Sequence, residues 1–511
     1  MAWVSPTTTV EVELAGVGGG WTDISADLTN DPILQSWGIK THLPNIRVAS
    51  TGEIKFGLRN DANNSGAVQG WYSPFHASRR SGWGFGIRCR VKQVYSGTTR
   101  YKLGYVRGIQ PEPGEYEGRR VFVSAVDWID EAAKTNAPTA VQVNKRSDQV
   151  FSAVLANVAK QPAATSIDVG IDTFTYALDN VASETKALAS FANLALSELG
   201  LVYLKRDATI GETLKFENRH NRPAVATTLV TLDKTMYELE LPGDASDILN
   251  RFLVTTFPRR IETSIVIAKL EAAFATAILP GETKRFFLDY TDPAQRDTKI
   301  GATAQIAPVV TTDYTMNTAF DGTGADLSSS FAVTATFFSS SVMLDVTNNH
   351  ASSSGYVRTL QCRGNGIFAL NPVDAEGKDA ASIATYGENL LQLPMLYQSN
   401  PLVGADAAHW MKSTWKDPLA HVRRVKFVAN QSDALMTAAI TGDISAKVAL
   451  VETINGLTSA TKYFINAVEL DSSETERLLC TWWLTPADPF VYWQIGLAGF
   501  SELGTTTRLG Y

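Results

Sequence analysis

The sequence predicts a mainly β protein with a small α+β part. Apolar and polar residues alternate with period two near both ends of the chain, and glycine, asparagine and serine turns separate these short runs. Helical spacing of apolar residues appears in the middle of the chain and in one later connector. The 511 residues are 44% hydrophobic and 19% charged and include 11 tryptophans, a balance that supports several buried cores and suits β architecture or large interfaces.

Residues 1–134 form the first predicted domain, which is barrel-like or sandwich-like. VEVELAG alternates and ends in the glycine break GVGGGW, and YSGTTRY predicts a hairpin. VFVSAVDWIDEAA predicts a strand that runs into a short helix. Many short strands separated by turns are typical of β barrels and sandwiches.

Residues 135–245 are predicted to form a small α+β domain. In SDQVFSAVLANVAK, four apolar residues share one helical face, and Ser147 or Asp148 is the expected N-cap. ETKALASFANLALSELG predicts a second helix, which Gly200 is expected to end. LVYLKRDATIGETLKFENRH predicts a hairpin that turns at ATIGE.

The rest of the chain divides into an inserted domain and the segments on either side of it. Residues 278–370 predict a β-sandwich, because VMLDVTN and YVRTLQCRG alternate around a polar turn. Residues 246–277 and 371–511 are assigned to a second β-barrel-like domain with a connector helix. The connector, SIATYGENLLQLPMLYQSNPLVGADAAHWMKSTWKDP, predicts a join, a short strand, a turn and a helix.

Composition and spacing favour no catalytic, metal or nucleic-acid site. The net charge is −7, the three cysteines are far apart, and the six histidines show none of the helical metal-binding spacings. GFSELG, with Ser501, misses the serine-hydrolase pattern, and GVGGG lacks the lysine of a phosphate loop. We therefore expect a protein that is not an enzyme and that has no cofactor.

Other patterns leave alternatives open. DGTGAD, with Asp321 and Asp326, is more typical of a turn than of a calcium loop, and the strand pair Glu238 and Glu240 is more typical of a solvated face than of a glycosidase. The start of the chain lacks the pattern of a signal peptide, and no apolar run is long enough to span a membrane.

The connector resembles a segment of the tail hub proteins (baseplate hub or minor tail proteins) of tailed bacteriophages. In that family a Ser-Ile-x-x-Tyr-Gly join, here Ser382 to Gly387 with Tyr386, leads into a short strand and a helix. TGDISAKVALVE, NGLTSATKYFINAVELD and LLCTWWLTPAD resemble later strands of the family in the same order. FSELGTTTRLGY, with Thr507, Arg508 and Leu509, resembles its terminus. The likeness is thinnest over residues 278–370.

The resemblance implies a structural role in assembly. It implies a homotrimeric ring at the distal end of the tail of the virion, built from two hub-type β-barrel-like domains per chain and made in the host cytoplasm. The implied partners are the tail tube, distal tail proteins, the tape-measure protein and receptor-binding or fibre proteins. Phage DNA would pass through without specific binding. Ser382, Tyr386, Gly387, Thr507, Arg508 and Leu509 are the implied assembly and connector residues.

A second interpretation stays open from the sequence alone. The β content and the tryptophan count also fit a multi-domain adhesin or carbohydrate-binding protein. Exposed aromatic residues of the predicted sandwich, such as Phe337, Phe338 and Tyr356, are candidates for glycan contacts in that case, although a place in the core is the simpler interpretation.

Overall fold

A computed structural model describes residues 3–113, 119–179, 181, 184–472, 477–487, 491–492 and 507–508. The first part of the chain is a β unit with one apolar face. Its strands are β1 (Thr7–Val12), β2 (Thr22–Asp23), β3 (Ile33–Gly38), β4 (Ser50–Arg59), β5 (Arg88–Tyr95), β6 (Thr98–Pro111) and β7 (Arg120–Val126). Alternate residues of β7 are buried, as period-two patterning predicts. The YSGTTRY hairpin is confirmed, since Tyr95 pairs with Thr98 across Ser96 and Gly97.

An α+β region follows. Its elements are α1 (Ile129–Lys134), β8 (Gln142–Arg146), α2 (Ser147–Ala156), β9 (Ala164–Ile167), β10 (Thr173–Ala177), α3 (Ala187–Glu198), β11 (Leu201–Lys205), β12 (Thr213–Glu217) and α4 (Asn221–Ala224). Both predicted long helices are confirmed. Their apolar faces meet where Phe151 of α2 stacks on Phe191 of α3, with ring centroids 4.5 Å apart. The predicted hairpin is also confirmed, because β11 pairs antiparallel with β12.

Two helix-end predictions were wrong. The N-cap of α2 is Arg146, because β8 extends to that residue and the Gln149 side chain accepts a hydrogen bond from its backbone N–H. The left-handed residue that ends α3 is Leu199, with a φ of 57°. Gly200 instead lies against β12, where an added Cβ would come within 2.7 Å of the Glu217 carbonyl oxygen.

Next come two strands of the closing β unit, one strand of a small separate sheet and the strands of the predicted sandwich. The strands are β13 (Thr228–Leu232), β14 (Met236–Glu240), β15 (Arg251–Thr256), β16 (Arg259–Lys269), β17 (Thr283–Asp289), β18 (Gly301–Ile306), β19 (Tyr314–Asn317), β20 (Phe331–Phe337), β21 (Ser341–Asn348) and β22 (Tyr356–Ala369). The sheets β16-β22-β18, with β19 on β22, and β17-β21-β20 enclose a common core. Strand β16, which lies before residue 278, pairs along β22 within these sheets, and the limits of the inserted domain stay a prediction. Phe337 is half-buried and packs against this core.

The connector and the final strands complete the chain. They are β23 (Val373–Lys378), α5 (Ala380–Tyr386), β24 (Leu390–Met395), α6 (Pro401–Trp415), β25 (Arg424–Val428), α7 (Asp433–Thr441), β26 (Lys447–Glu452), β27 (Leu457–Ser472), β28 (Leu478–Pro486), β29 (Val491–Tyr492) and β30 (Thr507–Arg508). Single 3-10 turns occur at Ser25–Asp27, Ala245–Asp247, Ser328–Ser330, Pro418–His421, Ala429–Gln431 and Thr453–Asn455. The predicted short strand and the helix after it are confirmed as β24 and α6, whereas the segment predicted only as a join is the short helix α5.

The two ends of the chain meet in one sheet. The sheet runs β14-β25-β28-β27-β3-β4-β7-β6-β5-β1-β2, and β26 joins β13 to β27. The N-terminal β unit (β1–β7) and the C-terminal β unit (β13, β14 and β25–β28) have two distinct apolar cores. The pairing of β27 with β3 joins the units, and Trp37 of β3 packs in the C-terminal core. Thus β13 and β14, within the range predicted as α+β, pair with β26 and β25. The fold is mainly β with a small α+β part, as predicted; the division into domains stays a prediction.

Candidate functional site at the junctions between units

The connector begins with a short helix whose ends are both fixed. Asp379 caps α5 by accepting a hydrogen bond from the Ser382 backbone N–H at 3.0 Å. The hydrogen bond from the Ser382 N–H lowers the pKa of Asp379, burial raises it, and the Lys416 ammonium lowers it. The net pKa lies below the ordinary value of an aspartate. Gly387 ends the helix with a φ of +83° and a ψ of 169°, a backbone conformation that essentially only glycine adopts.

Buried Asn250 ties this helix to the strand that precedes the sandwich. Its side-chain amide donates to the Gly387 carbonyl at 2.7 Å and accepts from the Asn389 N–H at 2.9 Å. Its backbone carbonyl accepts from the Asp379 N–H at 3.0 Å. The chain segments that enter and leave the sandwich are therefore bonded to each other at one residue.

Ser382 links the same point to the end of α6. The Ser382 hydroxyl donates to the Lys416 carbonyl at 2.9 Å, and the Lys416 ammonium lies 3.3 Å from the Asp379 carboxylate. The structure thus brings two of the predicted connector residues, Ser382 and Gly387, into one hydrogen-bonded network, whereas Tyr386 is half-buried beside it.

The remaining predicted residues lie elsewhere or outside the described residues. Thr507 and Arg508 form β30, which pairs in parallel with β29. Leu509 lies outside the described residues. Sequence reasoning missed Asn250, whose only signal was an asparagine directly before an apolar strand in DILNRFLV.

Helix α6 covers the small sheet formed by β23, β15 and β24. Asn400 caps the helix and Pro401 is its first residue, the arrangement that stabilises helix starts. Two glycines allow close approach. A Cβ on Gly377 would come within 2.2 Å of the Ala408 carbonyl oxygen, and one on Gly404 within 2.7 Å of Thr256. The connector helix is thereby held at a fixed distance from β15 and β23.

A second junction, which we call the Arg206 clamp, joins three regions of the chain. Arg206 is buried in the turn after β11, and its guanidinium donates to the carbonyls of Ala439, Ile440 and Gly442 at the end of α7, at 2.8–3.2 Å. The same group donates to the Gln93 side chain on β5 at 3.1 Å. A cation at the carboxyl end of a helix also complements the helix dipole.

Asp443 completes the clamp. Its carboxylate accepts from the Trp37 indole N–H on β3 at 2.8 Å and from the Arg206 backbone N–H at 2.8 Å. The Arg206 guanidinium lies over the Trp37 ring, 4.5 Å from its centroid. Burial lowers the pKa of Arg206 to about 10, partly offset by the Asp443 carboxylate, so the group stays charged at neutral pH. The N-terminal unit, the α+β region and the C-terminal unit are therefore locked together through one cation.

The sandwich has its own anchor on the α+β region. The Arg259 guanidinium lies 2.8 Å from the Asp179 carboxylate, and both groups are about nine-tenths buried. The hydroxyls of Ser339 and Ser340 donate to the carbonyls of Thr139 and Val181. The orientation of the sandwich on the α+β region is thus set by a desolvated ion pair and by two hydrogen bonds.

Two histidines meet where the N-terminal unit touches the 3-10 turn that follows the connector helix. The rings of His42 and His421 are perpendicular, with centroids 5.8 Å apart. Burial, then the neighbouring His421 and Arg423, lowers the pKa of His42 to about 4. Burial also lowers the pKa of His421, whose Nε2 lies 2.7 Å from the Trp415 carbonyl oxygen. Both rings are therefore neutral at pH 7.

At these junctions, the described side chains form hydrogen bonds and ion pairs within the chain. Within the described ranges, no three His, Cys, Asp or Glu side chains are placed to hold a metal ion. Cys89, Cys362 and Cys480 are buried free thiols, and burial raises the pKa of the Cys89 thiol to about 12. Among the helices of the described part of the chain, none is long and apolar enough to cross a membrane.

Known proteins resemble this chain only in overall structure. No protein-family model matches the sequence, nor does the sequence of any curated protein. The 43 kDa tail protein of prophage MuSo2 from Shewanella oneidensis aligns over 94% of this chain and 99% of its own, with 9% identity and a TM-score of 0.49. A tail protein from Neisseria meningitidis MC58 aligns over 94% and 97%, with 9% identity and a TM-score of 0.48. Prophage tail protein gp18 from Listeria monocytogenes EGD-e aligns over 93% and 94%, with 8% identity and a TM-score of 0.44. These TM-scores all lie below 0.5.

Proposed function

We propose that this chain is a structural tail-hub protein of a tailed bacteriophage. Three copies form a ring that closes or continues the tail tube at its distal end, anchors distal tail and receptor-binding components, contacts the tape-measure protein and lets DNA pass on infection. The proposal starts from the order of sequence elements that resemble tail hub proteins. The junctions described above add a physical reason for it.

The single observation that carries the proposal is the pair of β units within one sheet. Each unit has its own apolar core, and β27 and β3 join them edge to edge. In a closed cyclic ring every copy uses the same interface, so three copies present two β units each and offer six in all. Such a ring matches a sixfold tube on one side and leaves threefold symmetry on the other.

Fixed geometry is what such an adaptor needs. The two units of one copy have to keep a constant angle, since an error in that angle would repeat around the ring and prevent closure. The Arg206 clamp and the Asn250 network supply this constraint through buried hydrogen bonds, which are costly to break because each lost partner leaves a desolvated polar group.

The sandwich and the overall charge fit the same role. We assign residues 278–370, with β16, to an exterior domain that contacts distal tail or receptor-binding proteins and that the Arg259–Asp179 pair holds in orientation. A net charge of −7 disfavours binding to DNA phosphates, which suits a channel that DNA must leave without sticking.

Antibody labelling of phage particles tests the proposal. An antibody raised against the purified chain, carrying gold, is expected to label the distal end of the tail in electron micrographs. An antibody against the major capsid protein serves as the control for particle access. Label on capsids, or particles without label, would remove the hub proposal. Retention of the chain on a glycan column together with unlabelled particles would favour the adhesin alternative.

A further inference from the structure

A long loop between β4 and β5, residues 60–87, is built as a rigid element. Two of its own residues, Tyr72 and Trp83, are buried, and their rings make an edge-to-face contact with centroids 5.1 Å apart. The Asn60 side chain accepts from the Tyr72 N–H at 2.9 Å and donates to the Ser73 hydroxyl at 2.8 Å. A loop of this length without regular structure is uncommon unless it has a function.

A buried carboxylate fixes the loop to the β unit. Asp27 accepts from the Ser65 N–H and hydroxyl, each at 2.6 Å, and from the Tyr72 hydroxyl. The Arg80 guanidinium donates to the Tyr72 hydroxyl at 2.7 Å and lies 3.9 Å from Asp27. These bonds attach the loop to the β unit and therefore fix the positions of the side chains that the loop exposes to solvent.

This loop presents two phenylalanines to solvent. Phe75 is 91% exposed and Phe85 is 53% exposed, and their ring centroids are 6.4 Å apart. Exposed His76 and Arg79 adjoin them. We call Phe75, His76, Arg79 and Phe85 the aromatic tip. Adjacent exposed aromatics on a preorganised backbone are typical of protein interfaces, because little conformational entropy is lost on binding.

The tip lies in a segment whose charge is opposite to that of the rest of the chain. Residues 62–111 contain eight cations and no Asp or Glu, which leaves 37 cations against 52 acids elsewhere, a net charge of −15. Five of these cations are paired with acids outside the segment, namely Arg80 with Asp27, Arg88 with Glu13, Arg90 with Glu11, Lys102 with Asp127 and Arg107 with Asp130. Exposed Arg79 instead donates to the Pro74 carbonyl, so its positive charge remains at the tip.

We propose that the aromatic tip docks on an acidic, partly apolar surface of a second copy of this chain, an inference that rests on the ring proposed above. The chain itself carries the complementary charge excess. It also exposes a large apolar residue near an acid outside the basic segment, namely Ile454 (91% exposed) near Glu452. Exposed Tyr237 instead adjoins Glu238, whose carboxylate is paired with Arg424 and Lys426. A contact between two different surfaces of identical copies is the kind that closes a ring.

Sedimentation of the full chain with paired substitutions tests this inference. The double variant Phe75→Ser/Phe85→Ser is expected to raise the dissociation constant of the oligomer at least tenfold, because both anchors are lost. The matched control, Phe287→Ser/Phe320→Ser, removes two exposed phenylalanines of the sandwich and is expected to leave the constant unchanged. Arg79→Glu, which removes no apolar contact, is expected to weaken association most at low ionic strength.

The outcomes separate this inference from the hub proposal. A trimer in all variants with an unchanged dissociation constant overturns the docking surface and leaves the ring intact. A wild-type chain that stays monomeric overturns the docking surface, while gold labelling of particles still decides the tail location. A double variant that remains trimeric but no longer enters particles assigns the tip to another tail protein and overturns docking on a second copy.

Discussion

At the scale of single residues, a substitution of Arg206 is expected to cause a large loss of folding stability. Replacing Arg206 with Met is expected to leave the carbonyls of Ala439, Ile440 and Gly442 without their donor in a buried site. The loss of a buried, bonded charge typically costs about 3–5 kcal/mol. Chemical denaturation should therefore show a large fall in the unfolding midpoint. Arg285→Met, at an exposed ion pair, is the control and should change the midpoint little.

A second residue-scale prediction concerns Glu198, at the end of α3. Burial is the main cause that raises the pKa of this carboxyl to about 7. The hydrogen bond from the Ile171 N–H lowers this pKa, and the Asp172 carboxylate raises it. A folded-state pKa above the unfolded value of 4.5 means that the folded chain binds more protons between about pH 4.5 and 7. The contribution of Glu198 to stability is therefore lost as the pH rises through this window, by at most about 1.4 kcal/mol per pH unit.

Glu198→Gln isolates that contribution. The variant is expected to remove the downward slope, so that the difference in melting temperature between variant and wild type grows from pH 4.5 to 7. His42, whose pKa is lowered to about 4, has the opposite effect, because its contribution to stability is lost as the pH falls below about 6.5. This contribution is present in both wild type and variant and cancels in the comparison. A difference independent of pH would contradict the prediction for Glu198.

At the scale of elements, the connector depends on a backbone conformation as well as on contacts. A Cβ added at Gly387 would meet open space, so Gly387→Ala is expected to be costly through its φ of +83° alone. Strain of this kind is worth about 1–3 kcal/mol, and the melting temperature should fall accordingly. Gly243 has the same open surroundings without a positive φ, so Gly243→Ala is the matched control. Equal melting temperatures for the two variants would show that the connector tolerates alanine.

The elements also show how far local sequence patterns reach. The faces of α2 and α3, the β11–β12 hairpin and the order of connector elements were predictable, because periodicity and turn chemistry act within a few residues. The N-cap at Arg146 was not, since the pairing of β8 with β10 decides where that strand ends. The Asn250 network was missed for the same reason, because its partners Asp379, Gly387 and Asn389 lie 129 to 139 residues away in sequence.

At the scale of the whole molecule, long-range strand pairing determines the architecture. The joint between the two β units pairs Trp37 with Val468, and the Arg206 clamp adds a contact between Trp37 and Asp443. Neither bond has a local sequence signal. Composition and alternation predicted many strands, yet the assignment of β13 and β14 to the C-terminal unit depends on partners at β26 and β25.

We propose that three copies, each with two β units, form the adaptor at the end of a phage tail. Electron cryomicroscopy of the distal tail tests it most directly, because it counts copies and β units around the tail axis. The result we predict is three copies that place six β units in one ring under the tube, with threefold symmetry below. A reconstruction with one copy or six copies in that ring, or a tail tip without this chain, would contradict it.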